Sequence, residues 1–172
     1  MAYSKLPTRS SLDLASAADM NQSTENIEKF NEAVMITLTS DFLMPLANVW
    51  YKASFDNAIK DERNWLDVAN KRIIPDKKGL YLVCYQATMN STIADQHQFA
   101  IQLKKNAGSE FVNLEHVSGT EQGICFGYKI VEMNGTTDYL EGWVRCKDDA
   151  AKYVASNAAF TFFQVILLRS ID

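Results

Sequence analysis

Apolar residues are densest between Ala158 and Leu168, in the run Ala-Ala-Phe-Thr-Phe-Phe-Gln-Val-Ile-Leu-Leu. Aromatic and β-branched residues dominate it and neither Gly nor Pro interrupts it, which predicts a strand. Alternate strand residues point to opposite faces, so Ala158, Phe160, Phe162, Gln164, Ile166 and Leu168 share one face and Ala159, Thr161, Phe163, Val165 and Leu167 the other. Neither set belongs in water. In an antiparallel sandwich one of them meets the opposite sheet; the expectation is that a neighbouring subunit covers the other.

From Lys71 onward, short apolar-rich runs alternate with turn residues, as in an all-β sandwich. The predicted strands run from Leu80 to Met89, Gln96 to Lys104, Phe111 to Val117, Ile124 to Met133, Tyr139 to Cys146 and Lys152 to Val154, and then through the terminal run. Lys105-Asn106-Ala107-Gly108 and Gly119 to Gly123 read as turns, and Asn134-Gly135 is the strongest two-residue hairpin signal. With Arg72 to Pro75 leading in, about eight strands result, which suits a jelly roll. Phe99, Ile101 and Leu103, with Leu140, Val144 and Cys146, are the expected core faces. Asn48 to Trp65 is ambiguous: Val49 to Tyr51 and Ala53 to Phe55 suit a strand, and Asp56 to Arg63 a loop or a helical turn.

The beginning differs in character. Residues up to Ser11 are polar, with Pro7 and a Thr-Arg-Ser-Ser cluster, and read as an arm. Ser16 and Asp19 make a capping box, and no Gly or Pro follows until beyond Leu38. Met20, Ile27 and Val34 recur every seven residues with Phe30 beside them, predicting an amphipathic helix of about 20 residues. That apolar side is the candidate anchoring surface, against a larger assembly or sister helices. Pro45 then separates an N-terminal segment, 1–45, from a head domain, 46–172.

Two resemblances bear on function. Ala18, Asp19, Asn21, Asn26 and Ile27 follow a short arm in a pattern that resembles the opening of many bacteriophage fibre and appendage proteins. More extensively, Pro75-x-x-x-Gly79-x-Tyr81-x-Val83, Ile101-x-Leu103-Lys104-Lys105-Asn106, Asp138-Tyr139-Leu140 and Phe160-Thr161-Phe162-Phe163 occur in an order similar to the C1q and tumour-necrosis-factor head fold. Two departures are that Phe162 stands where that family has Gly, and that Ala107 enters the Lys-Asn-Gly turn. The resemblance implies a mainly β, C1q/TNF-like jelly-roll sandwich, here preceded by the arm and helix, assembled as a homotrimer. It also implies that the strands holding Gln98, Gln102, Tyr139 and Trp143 share a sheet with the terminal strand. Those four residues would then join Phe160, Phe162 and Gln164 at the subunit contact.

Composition limits the chemistry. The 172 residues suffice for one core that buries roughly 70% of its unfolded surface. A net charge of −4 without a basic patch argues against nucleic acid or an anionic membrane as partner. The opening lacks the apolar run of a signal peptide, and no stretch of about 18 apolar residues is present to span a bilayer. Cys84, Cys125 and Cys146 lie in apolar segments and are expected as free thiols of a reducing cytoplasm. His97 and His116 have no second ligand at a metal-binding interval, and no nucleophile elbow or phosphate loop occurs. Asp148, Asp149 and Glu62 read as solvated loop charges, so no catalytic residue, metal or cofactor is expected.

The expected function is structural: a trimeric head on a bacteriophage particle, assembled in the host cytoplasm and held to a capsid or tail protein by its N-terminal segment. Capsid decoration or a short head fibre comes first. A tail receptor-binding knob, with a host surface glycan as candidate ligand, is the alternative, and a non-viral C1q-like or lectin-like module the second.

Overall fold

The computed structural model describes residues 32–90, 97–117, 123–147, 151–156, 159 and 161–171. Among them every regular element is a strand: β1 (Ala33–Thr37), β2 (Phe42–Met44), β3 (Tyr51–Lys52), β4 (Asn57–Asp61), β5 (Leu66–Asp67), β6 (Arg72–Ile73), β7 (Lys78–Asn90), β8 (His97–Lys105), β9 (Gly108–Val117), β10 (Gly123–Asn134), β11 (Leu140–Cys146), β12 (Lys152–Val154) and β13 (Phe162–Ser170). They form two antiparallel sheets, of seven and six strands. In the larger, β7 pairs with β10 along one edge and with β13, then β12, along the other; β13 pairs with β1, β1 with β4, and β12 with β2. In the smaller, β11 has β8 on one side and β3 and β6 on the other, β9 flanks β8, and β5 flanks β6.

The predicted alternation decides which residues fill the space between the sheets. Val34 and Ile36, Tyr81, Val83 and Tyr85, Phe99, Ile101 and Leu103, Leu140, Val144 and Cys146, and Phe163, Val165 and Leu167 all point inward and are buried. Phe55, Tyr85 and Phe163 pack ring against ring at 5.5–5.8 Å between centroids, within the range for favourable edge and tilted pairs. Gly142 makes room for this cluster, since a Cβ there would lie 3.0 Å from the Phe55 ring and 3.1 Å from that of Tyr85. Gly127 on β10 acts similarly at the sandwich edge, where the Phe111 ring of β9 occupies the place of a side chain.

One end is tied by a carboxylate. Asp138 is buried and accepts hydrogen bonds from Asn106 Nδ2 at 2.6 Å and the Asn134 backbone N–H at 2.9 Å, with Lys105 Nζ at 2.9 Å. Burial pushes its pKa up, but the bonds from Lys105, Asn106 and Asn134 outweigh that and hold the carboxyl below its ordinary range. This joins the β8–β9 turn to the loop between β10 and β11.

Several expectations change. Residues 33–37 are strand, so the helix does not extend to Leu38; Val34 is a core residue, fully buried, while Met20, Ile27 and Phe30 lie outside the described residues. The seven-residue spacing that ended on Val34 coincided with an alternating Val34/Ile36 pattern, and pairing to β13 satisfies that backbone as strand. The sandwich therefore takes in β1 and β2, both before Pro45. Asp56 to Arg63 is neither loop nor helix throughout, for Asn57–Asp61 is strand β4 paired to β1. Asn134-Gly135 is not a hairpin turn, because β10 and β11 belong to different sheets; Asn134 Oδ1 instead accepts the N–H groups of Thr136, Thr137 and Asp138 and shapes a crossing loop. The tight hairpin is β8–β9, whose two loop residues Asn106 and Ala107 both have positive φ, 49° and 67°.

Candidate assembly surface on the larger sheet

β13 has one buried face and one that is only half-covered within the protomer. Phe163, Val165 and Leu167 fill the core, while Phe162, Gln164 and Ile166 face away from it. β7 repeats the arrangement with Leu80, Leu82, Cys84 and Gln86, and β10 with Ile124, Phe126, Tyr128 and Ile130. The pairing register lines these side chains into rows across the sheet. One row is Phe126, Gln86, Phe162; the next is Tyr128, Cys84, Gln164, Met35, Lys60; the next is Ile130, Leu82, Ile166, Ala33.

At strand and residue spacings of about 4.8 and 3.4 Å, these rows and their flanks cover on the order of 400 Å². Most of the positions are apolar. Exposure is greatest on β10, at 42% for Phe126, 69% for Tyr128 and 56% for Ile130. A patch of this size matches the largest apolar patch of an ordinary monomer, which is often functional, and makes this face the candidate interaction surface. Cys84 sits within it as a free thiol, its pKa raised by burial, so it is a poor nucleophile there.

The other sheet presents a different outer face. Lys104 Nζ lies 3.8 Å from the centre of the Trp143 ring, and Trp143 Nε1 donates to Glu141 Oε2 at 3.0 Å. Glu141 is also paired with Lys52, whose Nζ donates to the Asn70 carbonyl. Arg72 stands 5.0 Å from the Tyr139 ring and pairs with Asp67; Arg145 stands 4.7 Å from the Trp50 ring. These aromatic rings are covered by cations of their own protomer; Lys52 and Arg72 have carboxylate partners, whereas Arg145 keeps a buried Nε without a hydrogen-bond partner among the described residues.

The expected contact set is therefore divided. Gln98, Gln102, Tyr139 and Trp143 belong to the smaller sheet or its border, whereas Phe162 and Gln164 lie on the larger one; Phe160 falls outside the described residues. The placement of β8 and β11 beside the terminal strand is corrected by the pairing itself, since β13 takes β7 and β1 as neighbours and β11 takes β8. Missed in the sequence were Phe126, Tyr128 and Ile130. The signal was present: in Ile124 to Met133 the set Ile124, Phe126, Tyr128 and Ile130 is apolar while Cys125, Val131 and Met133 supply a second apolar set broken by Gly127 and Lys129. Cys125 and Cys146 are buried free thiols, and the side chains of His97 and His116 lie outside the described residues.

No protein-family model and no curated protein sequence matches the chain. Solved structures do. The globular domain of zebrafish complement 1qA superposes with a TM-score of 0.55 at 9% identity, covering 81% of this chain and 99% of that one. Murine APRIL at pH 5.0 gives 0.57 at 11% identity over 79% and 98%, and Eiger TNF from S. frugiperda 0.54 at 16% over 81% and 94%. The fold of this chain is the C1q/TNF-like jelly roll.

Proposed function

We propose that this chain is the head of a homotrimeric structural protein whose copies meet on the outer face of the larger sheet. Residues 1–31 attach the head to a larger particle. The observation that carries the reading is the row pattern on β10, β7 and β13, which exposes Phe126, Tyr128 and Ile130 beside half-buried Leu82, Phe162 and Ile166. Such a face gains free energy when it is removed from water, at about 25 cal/mol per Å². The smaller sheet, whose outer aromatic rings are covered by cations of the same protomer, stays outward in the assembly.

The particle is a bacteriophage virion, and the role is capsid decoration or a short head fibre rather than catalysis. This part rests on the resemblance of the Ala18-Asp19-x-Asn21 segment and its following Asn26-Ile27 to phage appendage proteins. The division of labour is tested by removing residues 1–31, a cut that spares β1 and Glu32, which is paired with Lys77. The truncated protein is expected to fold and trimerise yet fail to join particles lacking this protein, while the full chain joins them. A truncated protein that still attaches would overturn the anchoring role, and a full chain that joins no phage particle would overturn the virion role.

A further inference from the structure

The apolar rows on the larger sheet are interrupted by two glutamines, Gln86 in the row Phe126, Gln86, Phe162 and Gln164 in the next. Along the strand order β10, β7, β13, β1, β4, the third strand is β13, and Gln164 is the central residue of the five-residue row Tyr128, Cys84, Gln164, Met35, Lys60. The rows on either side place Phe162 and Ile166 next to it along β13, and its cross-strand neighbours Cys84 and Met35 offer only weakly hydrogen-bonding sulfur. Its side-chain amide makes no hydrogen bond among the described residues. An amide buried without a partner costs free energy. A surface that is covered on assembly must therefore give this one a partner from outside the protomer.

Symmetry supplies one. Where copies of a chain meet about a rotation axis, the residue nearest the axis faces its own copies. A carboxylate or an ammonium there would meet like charge. A Gln amide both donates and accepts, so each NH₂ can donate to the carbonyl oxygen of the next copy until the ring closes. We propose that Gln164 lies at the symmetry axis of the assembled protein and that this ring of amides fixes the register and number of the copies. The inference rests on the assembly surface proposed above. Leu or Ile at the same place would add adhesion without direction, whereas a polar position in a mostly apolar contact selects one arrangement among several.

The test uses the full chain with Gln164→Glu and Gln164→Leu, and Gln102→Glu on the smaller sheet as control. Assembly is followed by sedimentation and native mass spectrometry, and folding by circular dichroism. At about pH 7 the Q164E carboxylates repel one another, and the concentration for half-assembly is expected to rise at least about a hundredfold. At about pH 5 burial and mutual repulsion favour the protonated carboxyls, which donate and accept as amides do, and assembly is expected to return. Q102E should behave as wild type at both pH values, and Q164L should assemble into more than one stoichiometry. Q164E that assembles at about pH 7 as tightly as wild type overturns the axial placement, provided wild type is itself trimeric. A monomeric wild type overturns the assembly reading first. Should Q164E fail to fold, Q164L decides: a mixture of stoichiometries supports the role, and a trimer identical to wild type refutes it.

Discussion

Ile130 stands on β10 at the edge of the larger sheet, pointing outward and 56% exposed in the single protomer. Its replacement by Asp separates folding from assembly. The protomer should lose only about 1 kcal/mol, from the poorer strand propensity of Asp at a largely open position. Assembly should lose far more. Fully burying an Ile is worth about 1.5–3 kcal/mol, and with roughly half of its surface still open about 1 kcal/mol remains to be gained per copy on association. An unpaired carboxylate adds several kcal/mol of desolvation cost at each site. Summed over three copies the loss is on the order of 10 kcal/mol, enough to turn a nanomolar assembly into one that does not form at micromolar concentration. Sedimentation velocity at micromolar protein is expected to show a folded monomer for I130D, whose strand-type circular dichroism matches wild type. Gln102→Asp, on the smaller sheet, should leave the wild-type boundary unchanged. An I130D protein sedimenting as wild type would refute the reasoning and place the contact elsewhere.

Two further outcomes concern the fold. Ala107 holds a left-handed conformation, with φ 67°, in the two-residue β8–β9 turn, where a Cβ is strained; Ala107→Gly is expected to stabilise by about 1 kcal/mol, read as a higher urea midpoint at unchanged slope, and no gain would mean that the turn is not of this type. Asp138→Asn is expected to cost about 1–3 kcal/mol at neutral pH by disturbing the bonds from Lys105, Asn106 and Asn134. Because the folded pKa of Asp138 is depressed, its contribution is present above the ordinary carboxylate pKa and is lost as pH falls through the folded value. Urea denaturation from about pH 6 down to about pH 3 should therefore fall less steeply in the variant than in wild type; equal slopes would contradict the assignment.

The long strands were legible because their alternation is sustained. Leu80 to Met89, Ile124 to Met133 and the terminal run each contain enough apolar residues on a period of two to define both faces, and Phe99, Ile101, Leu103, Leu140, Val144 and Cys146 are buried as expected. Pairing was harder. Nothing in the alternation of β8 or β11 says which strand lies beside it, so their sheet had to come from a resemblance and was assigned wrongly. β4 was missed because Asn57–Asp61 pairs only with β1 and keeps its first three residues exposed, so it shows no apolar face. Val34 misled because heptad spacing and strand alternation both admit an apolar residue at that position. Asn134-Gly135 has hairpin chemistry, but a turn signal cannot tell whether the strands that flank it share a sheet.

In the assembly we propose, further copies of the same chain cover the outer face of the larger sheet. Sedimentation equilibrium of the full chain at micromolar concentration tests it most directly. A single species of three times the protomer mass is expected; the mass of one protomer would contradict a contact between copies on that face.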